Sequence, residues 1–105
     1  MKKVLVSLAS AGLAFVVASA SAADKKTLAI VVKGLDNPFF TVLGNGCKKW
    51  NADHADSPYE CLYTGPALSS DEAGEVQLVA DLIAKGVAGI AISPSNAPAM
   101  ASMLK

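Results

Sequence analysis

Short apolar runs alternate along the chain with polar segments that carry a helical repeat. Residues 27–32 (TLAIVV) form an unbroken apolar run of strand length, the pattern of a strand covered on both faces. Asn37 and Pro38 follow as a helix N-cap and first-turn proline. Beyond them Phe39, Leu43, Cys47 and Trp50 recur on one side at helical spacing. Gly44 and Gly46 weaken that helix by up to about 1 kcal/mol each, which predicts close packing against a sheet. A polar loop at 51–58 leads to residues 59–64 (YECLYT), a mixed run suited to a sheet edge. Ser69 and Glu72 have capping-box spacing for a second helix. In it Val76, Val79, Ala80 and Ile83 repeat at i, i+3, i+4 and i+7, and Gly86 stands where a C-cap glycine ends a helix. Residues 89–93 (GIAIS) are a third strand, and Ser95 or Asn96 caps a last helix that runs to Lys105.

Strand and helix alternating three times define an α/β fold with parallel strands joined by right-handed crossovers. The expected architecture is three-layer αβα with strand order 2-1-3, because the second strand is the most polar. In such sheets a ligand binds beyond the carboxyl ends of the strands, where the order reverses. For this order the crevice lies between the first and third strands, so it is flanked by residues 33–40 (KGLDNPFF) and 93–96 (SPSN). The third strand has no outer neighbour, an apolar edge that invites further pairing. Residues 23–105 are therefore expected to be the first part of a larger N-terminal lobe, cut in or after the third helix.

The segment before the first strand belongs to a different process. Lys2 and Lys3, an apolar stretch at 4–17 and the small residues 18–23 have the layout of a secretory signal peptide. Ala20 and Ala22 supply the A-x-A site, so residues 1–22 are expected to be removed, leaving 83 residues. The apolar stretch is shorter than the roughly 20 residues that span a bilayer. No membrane span is expected after cleavage, and the product should reside outside the cytoplasm.

Charge narrows the partners. The nine basic residues are all lysine, and loss of Lys2 and Lys3 leaves seven against nine acids, a net charge of −2. That balance offers no phosphate-binding patch, and nucleic acid is not an expected partner. Cys47 and Cys61 match neither a C-x-x-C redox centre nor a zinc pattern. Two readings stand for them: a structural disulfide, favoured in an exported protein, or two buried thiols. His54 has no second ligand at metal spacing, GNG falls within a helix, and no Ser–His–acid set, nucleophile elbow or Walker motif is present. Neither cofactor, metal nor catalysis is expected.

The ordered set LAIVVKGLDNPFF, GNGCKKW, YTGP and GEVQLVADLIAKGVAGIAISPSN resembles the periplasmic substrate-binding proteins of sugar-type ABC transporters. These are the type I, ribose-binding-like proteins, which share their fold with the ligand domains of lactose-repressor-type regulators. The resemblance covers the chain from about Thr27 onward. Lys33, the two phenylalanines, GNG and VQLV are similar to the branch that takes rhamnose-like sugars or furanosyl signalling molecules; NPFF is similar to the ribose and allose branch. The resemblance implies a two-lobed periplasmic protein that closes on a monosaccharide or sugar-like ligand by a hinge and is then read by an ABC permease.

Residue by residue, the resemblance places a polar group at the end of the first strand (Lys33), an asparagine donating to sugar hydroxyls (Asn37) and aromatic rings against the sugar face (Phe39 and Phe40). The C–H face of a sugar suits the negative face of a ring, and the polar neighbours sort hydroxyl patterns, because an unpaired buried hydroxyl costs about 1–3 kcal/mol. Each residue also has a structural reading. Phe39 lies on the stripe with Leu43, Cys47 and Trp50, so Phe40, off that stripe, is the better ligand-facing ring. Asn37 is either a cap or a ligand, and Lys33 either meets a ligand, pairs with Asp36 or is solvated. The arginine and acids that complete a sugar site in the family lie in later strands and the second lobe, so these residues make one wall. Two other readings use the same fold: a periplasmic sensor domain partnering a histidine kinase, and a secreted α/β enzyme, for which the strand ends offer only Lys33, Asp36, Ser93 and Ser95.

Overall fold

Three parallel strands, β1 (Lys26–Val31), β2 (Tyr59–Thr64) and β3 (Gly89–Ile92), pair in the order β2-β1-β3 in the computed structural model, which describes residues 24–105. The expected signal segment, 1–22, lies outside the described residues. Leu28 pairs with Cys61 on one side of β1 and with Gly89 on the other; Val31 pairs with Thr64 and Ile92. Helices α1 (Thr41–Asp53), α2 (Glu72–Ala84) and α3 (Ala97–Leu104) alternate with the strands. A short 3-10 turn at Pro38–Phe40 precedes α1.

Alternation along β1 separates the two faces. Ala29 and Val31 point into the main core with Val79 and Leu82 of α2 and Met100 of α3, all buried, while Ile90 and Ile92 of β3 flank them. Leu28 and Ile30 face the other way, toward α1, where Cys47 and Trp50 approach Ile30 and Cys61. This face is covered unevenly. Since α1 stands over the β2 side, Leu28, Ile30, Gly89, Ala91 and Trp50 line an apolar groove of about 330 Å³ toward β3. The expectation that β1 is sealed on both faces is met on the α2–α3 side, whereas Leu28 remains 37% exposed on the other.

Two helix ends follow their local chemistry. Asn96 caps α3 by accepting the Ala99 N–H through Oδ1 (3.0 Å), which decides between the two expected caps. Gly86 follows α2 with φ of +74°, a left-handed conformation that costs a side chain strain and glycine none. The N-terminus of α2 departs from the capping-box reading. Asp71 is the cap, accepting from the Gly74 N–H at 2.9 Å, because the Ser69 hydroxyl is engaged elsewhere.

Two stripes also shift. On α2 the buried positions are Glu75, Val79 and Leu82, with Val76 half-buried, and Ile83 lies on the outer side at 48% exposure. The helix packs on α3 as well as on the sheet, which turns its Leu78–Leu82 side inward. On α1 only Gly44 and Cys47 are fully buried. A Cβ on Gly44 would stand 3.0 Å from the Tyr63 ring, as close packing on the sheet requires, while Gly46 faces open space.

Cys47 and Cys61 form a disulfide that ties α1 to β2, with Cα atoms 5.4 Å apart. Asn51, one turn further along α1, makes two bonds to the same strand. Its Nδ2 donates to the Cys61 carbonyl (2.9 Å) and its Oδ1 accepts the Cys61 N–H (2.7 Å). A carboxamide thus occupies the backbone groups of an edge strand that would otherwise be free to pair with another chain.

Candidate functional site

The order β2-β1-β3 reverses at the boundary between β1 and β3, and the carboxyl ends of these two strands lie side by side. Their pairing continues one residue past the strands, where the Ser93 N–H donates to the Val31 carbonyl at 2.9 Å. Two turns leave this edge: 33–37 toward α1 and 93–96 toward α3.

The first turn is fastened to the loop before α2. The Leu35 N–H donates to the Pro66 carbonyl (2.9 Å), and the Asp36 carboxylate accepts both the Ser69 N–H (2.9 Å) and the Ser69 hydroxyl (2.6 Å) on Oδ1. The hydroxyl bond from Ser69 is the main cause that holds the Asp36 carboxyl below its ordinary value of 3.8. Gly34 is buried here against Ser69 and Asp36, leaving no room for a Cβ. Lys33, expected at the strand end, is exposed there. Asp36 is committed to Ser69, and the one ion pair among the described residues is Lys49–Asp53, so Lys33 and Asp36 do not pair.

Asn37 opens the 3-10 turn by accepting the Phe39 N–H on Oδ1 at 3.0 Å. Capping engages only the carbonyl half of the carboxamide. The NH₂ half is not used by the cap, so the cap and ligand readings of Asn37 are compatible. The two rings behind it are placed the opposite way from expectation. Phe40 is buried at 6% exposure, and Phe39 is 78% exposed. They meet edge to face, ring centroids 5.2 Å apart and planes at 85°. The cause is the 3-10 turn, which winds three residues per turn rather than 3.6 and so breaks the helical phase before α1 starts at Thr41. Phe39 therefore leaves the stripe of Cys47 and Trp50, and Phe40 anchors it from beneath. A ring exposed to this extent is the free apolar face of the edge.

The second turn is held from α2. Glu75, 1% exposed, accepts the Ser95 N–H at 3.0 Å and the Ser95 hydroxyl at 3.3 Å; Glu72 accepts from the Asn96 amide at 3.2 Å. Sequence reasoning passed over Glu75. Its signal was available, since an acid at 75 shares the helical phase of Val79 and Leu82 and a charge on a core stripe calls for a partner. The role of Ser69 had no such signal, because its partner lies 33 residues away.

Trp50 stands apart from this edge. It lines the apolar groove on the α1 face of β1 and β3, with Leu28 and Gly89, and stacks on His54 with ring centroids 4.5 Å apart. A second hollow of about 400 Å³, between α1 and β2, includes Leu35, Asn45, Lys48 and Tyr63 and lies on the β2 side of β1.

The structure is a parallel sheet of order 2-1-3 with a capped aromatic turn and a braced second turn at its switch point, the place where sheets of this class take ligands. The model of the periplasmic binding protein domain family matches residues 28–105, and the chain belongs to that family. It is 37% identical over 102 residues to the ribose import binding protein of Haemophilus influenzae, covering 95% of this chain and 32% of that protein. To the D-ribose/D-allose-binding protein of Pseudomonas aeruginosa it is 29% identical over 82 residues, 78% of this chain and 25% of that one. Among solved structures, an ABC transporter solute-binding protein from Burkholderia graminis in complex with D-arabinose superposes with a TM-score of 0.62 at 29% identity, covering 78% of this chain and 27% of that one. The chain thus spans a quarter to a third of the length of these relatives, each of which is named as a binding protein. No helix among the described residues is long and apolar enough to cross a membrane.

Proposed function

We propose that this chain contributes one wall of the ligand site in a periplasmic solute-binding protein of an ABC importer, which captures a monosaccharide or sugar-like ligand by hinge closure and presents it to an inner-membrane permease. Residues 23–105 are the first part of its N-terminal lobe, behind a cleavable signal peptide at 1–22. The protein carries out no reaction. Phe39 offers its face to the C–H patch of the sugar, Phe40 holds that ring edge-on, the Asn37 amide donates to a hydroxyl, and Lys33 lies at the mouth. The observation that carries this reading is the placement of Phe39, 78% exposed, beside the Asn37 cap at the switch point of the sheet. The outer face of Phe39 keeps apolar surface in water, and a sugar face would cover it. Relatives whose names specify ribose and allose support the ligand class. The disulfide supports an oxidising compartment.

Calorimetric titration of the complete protein with D-ribose, D-allose, D-arabinose and L-rhamnose tests the proposal. Saturable heat with one of them, and a rise in Tm at excess of that sugar, is expected. Absence of both signals across the panel would refute it.

A further inference from the structure

We propose that Glu75 is a positioning residue for the second wall of the site, holding the turn at Ser95 and Asn96 in its ligand-ready shape; this rests on the sugar-binding reading above. Glu75 is the one charged or polar side chain buried among the described residues, at 1% exposure. Its neighbours on the inward side of α2 are apolar, Val79 at 0% and Leu82 at 7%. Packing alone does not call for a carboxylate in that place. A buried carboxylate loses hydration and is tolerated only when its oxygens are hydrogen-bonded, and an aliphatic side chain of similar size would fill the space without that penalty. What the carboxylate adds is direction.

Both oxygens are spent on one residue. Oε1 accepts the Ser95 N–H at 3.0 Å and Oε2 accepts the Ser95 hydroxyl at 3.3 Å. Such a two-point hold fixes the orientation of the peptide as well as its position. The next residue is fixed from the same helix, since Glu72 accepts from the Asn96 amide at 3.2 Å while Asn96 Oδ1 caps α3. Residue 93 is already fastened to β1 through the Val31 carbonyl. The turn that borders the switch point is thus determined at three successive anchor points, two of them acids on α2. A wall built from a turn is accurate only to the extent that its supports are rigid, and small misplacements of polar groups against a sugar weaken binding severely. Glu75 touches no ligand in this scheme; it acts through Ser95.

The test uses the complete protein and whichever of D-ribose, D-allose, D-arabinose and L-rhamnose binds the wild type. Kd and Tm are measured together, well below the Tm, for Glu75→Ala, Glu75→Gln and Ser95→Ala, with Val79→Ala as a core variant that leaves the turn intact. Glu75→Ala and Ser95→Ala should each weaken affinity by about tenfold, as loss of one or two buried hydrogen bonds to a turn implies. Glu75→Gln, which keeps a carbonyl acceptor for the Ser95 N–H, should recover most of the loss. Val79→Ala should lower Tm and leave Kd within about twofold. If Glu75→Ala and Ser95→Ala bind as the wild type does, or if affinity merely follows Tm through all four variants, the positioning role is overturned while the sugar-binding reading stands. A wild type that binds none of the four sugars overturns that reading, and this inference with it.

Discussion

Asp36 and Ser69, 33 residues apart, meet through two hydrogen bonds on a single carboxylate oxygen, from the Ser69 N–H at 2.9 Å and its hydroxyl at 2.6 Å. This link joins the turn that carries Asn37 and Phe39 to the loop after β2. It replaces the two local roles those residues offer on sequence grounds, an ion pair with Lys33 and a cap for α2.

The link is a carboxylate whose proton affinity is lowered in the folded state, so its contribution is present above the ordinary value of 3.8 and is lost as pH falls through the lower folded value. Asp36 is exposed, and the effect is local rather than global. The Ser69 amide resonance should titrate with a midpoint below 3.8, and Asp36→Asn should abolish that titration. A midpoint at or above that value would contradict the assignment. Asp36→Ala should also weaken sugar binding severalfold with little change in Tm.

The two phenylalanines should separate stability from binding. Phe40→Ala removes a buried ring and should destabilise the fold by about 3–5 kcal/mol in denaturant titrations. Phe39→Ala removes a ring that packs mainly on Phe40 and should change stability by only about 0.5 kcal/mol. The same variant should weaken sugar affinity by about tenfold, equivalent to about 1.4 kcal/mol. Equal loss of stability in both variants would show that Phe39 is a packing residue.

The Cys47–Cys61 bridge closes a loop with a sequence separation of 14. A closure of that length stabilises by about 3 kcal/mol through the unfolded chain. Urea unfolding with and without reductant should show a loss of this order, reproduced in the Cys47→Ala, Cys61→Ala double variant. Identical midpoints would mean that the bridge adds nothing to stability.

Asn51 guards the edge strand beside that bridge. Asn51→Ala frees the Cys61 N–H and carbonyl, and should destabilise the fold by about 1–3 kcal/mol. Light scattering on mild heating should rise as well, since the exposed edge can then pair between molecules. A variant as soluble and as stable as the wild type would remove Asn51 from this role.

Much of the architecture was legible because it rests on short-range regularities. Apolar runs marked β1 and β3, the polarity of 59–64 placed β2 at the edge, and Gly86 marked a helix end through a backbone preference that neighbours do not override. The Asn37–Pro38 pair opened a 3-10 turn ahead of α1. The site was legible in location but not in detail. Helical spacing put Phe39 inside and Phe40 outside, and a three-residue 3-10 turn reversed them. The stripe on α2 keeps Val76 and Val79 against the core but runs on through Leu82 rather than Ile83, because its partner α3 is not part of the periodicity.

The chain's own order of apolar and polar residues therefore determined the parallel sheet, its 2-1-3 order and the edge at which the candidate site stands, since each depends on backbone conformation and burial over a few neighbouring residues. Tertiary contact alone decided which ring faces outward, that Ser69 serves Asp36 rather than α2, and that the buried Glu75 braces Ser95. Hydrogen bonds between groups 20 to 33 residues apart leave no periodic trace in a sequence; they exist only once the sheet brings its loops together.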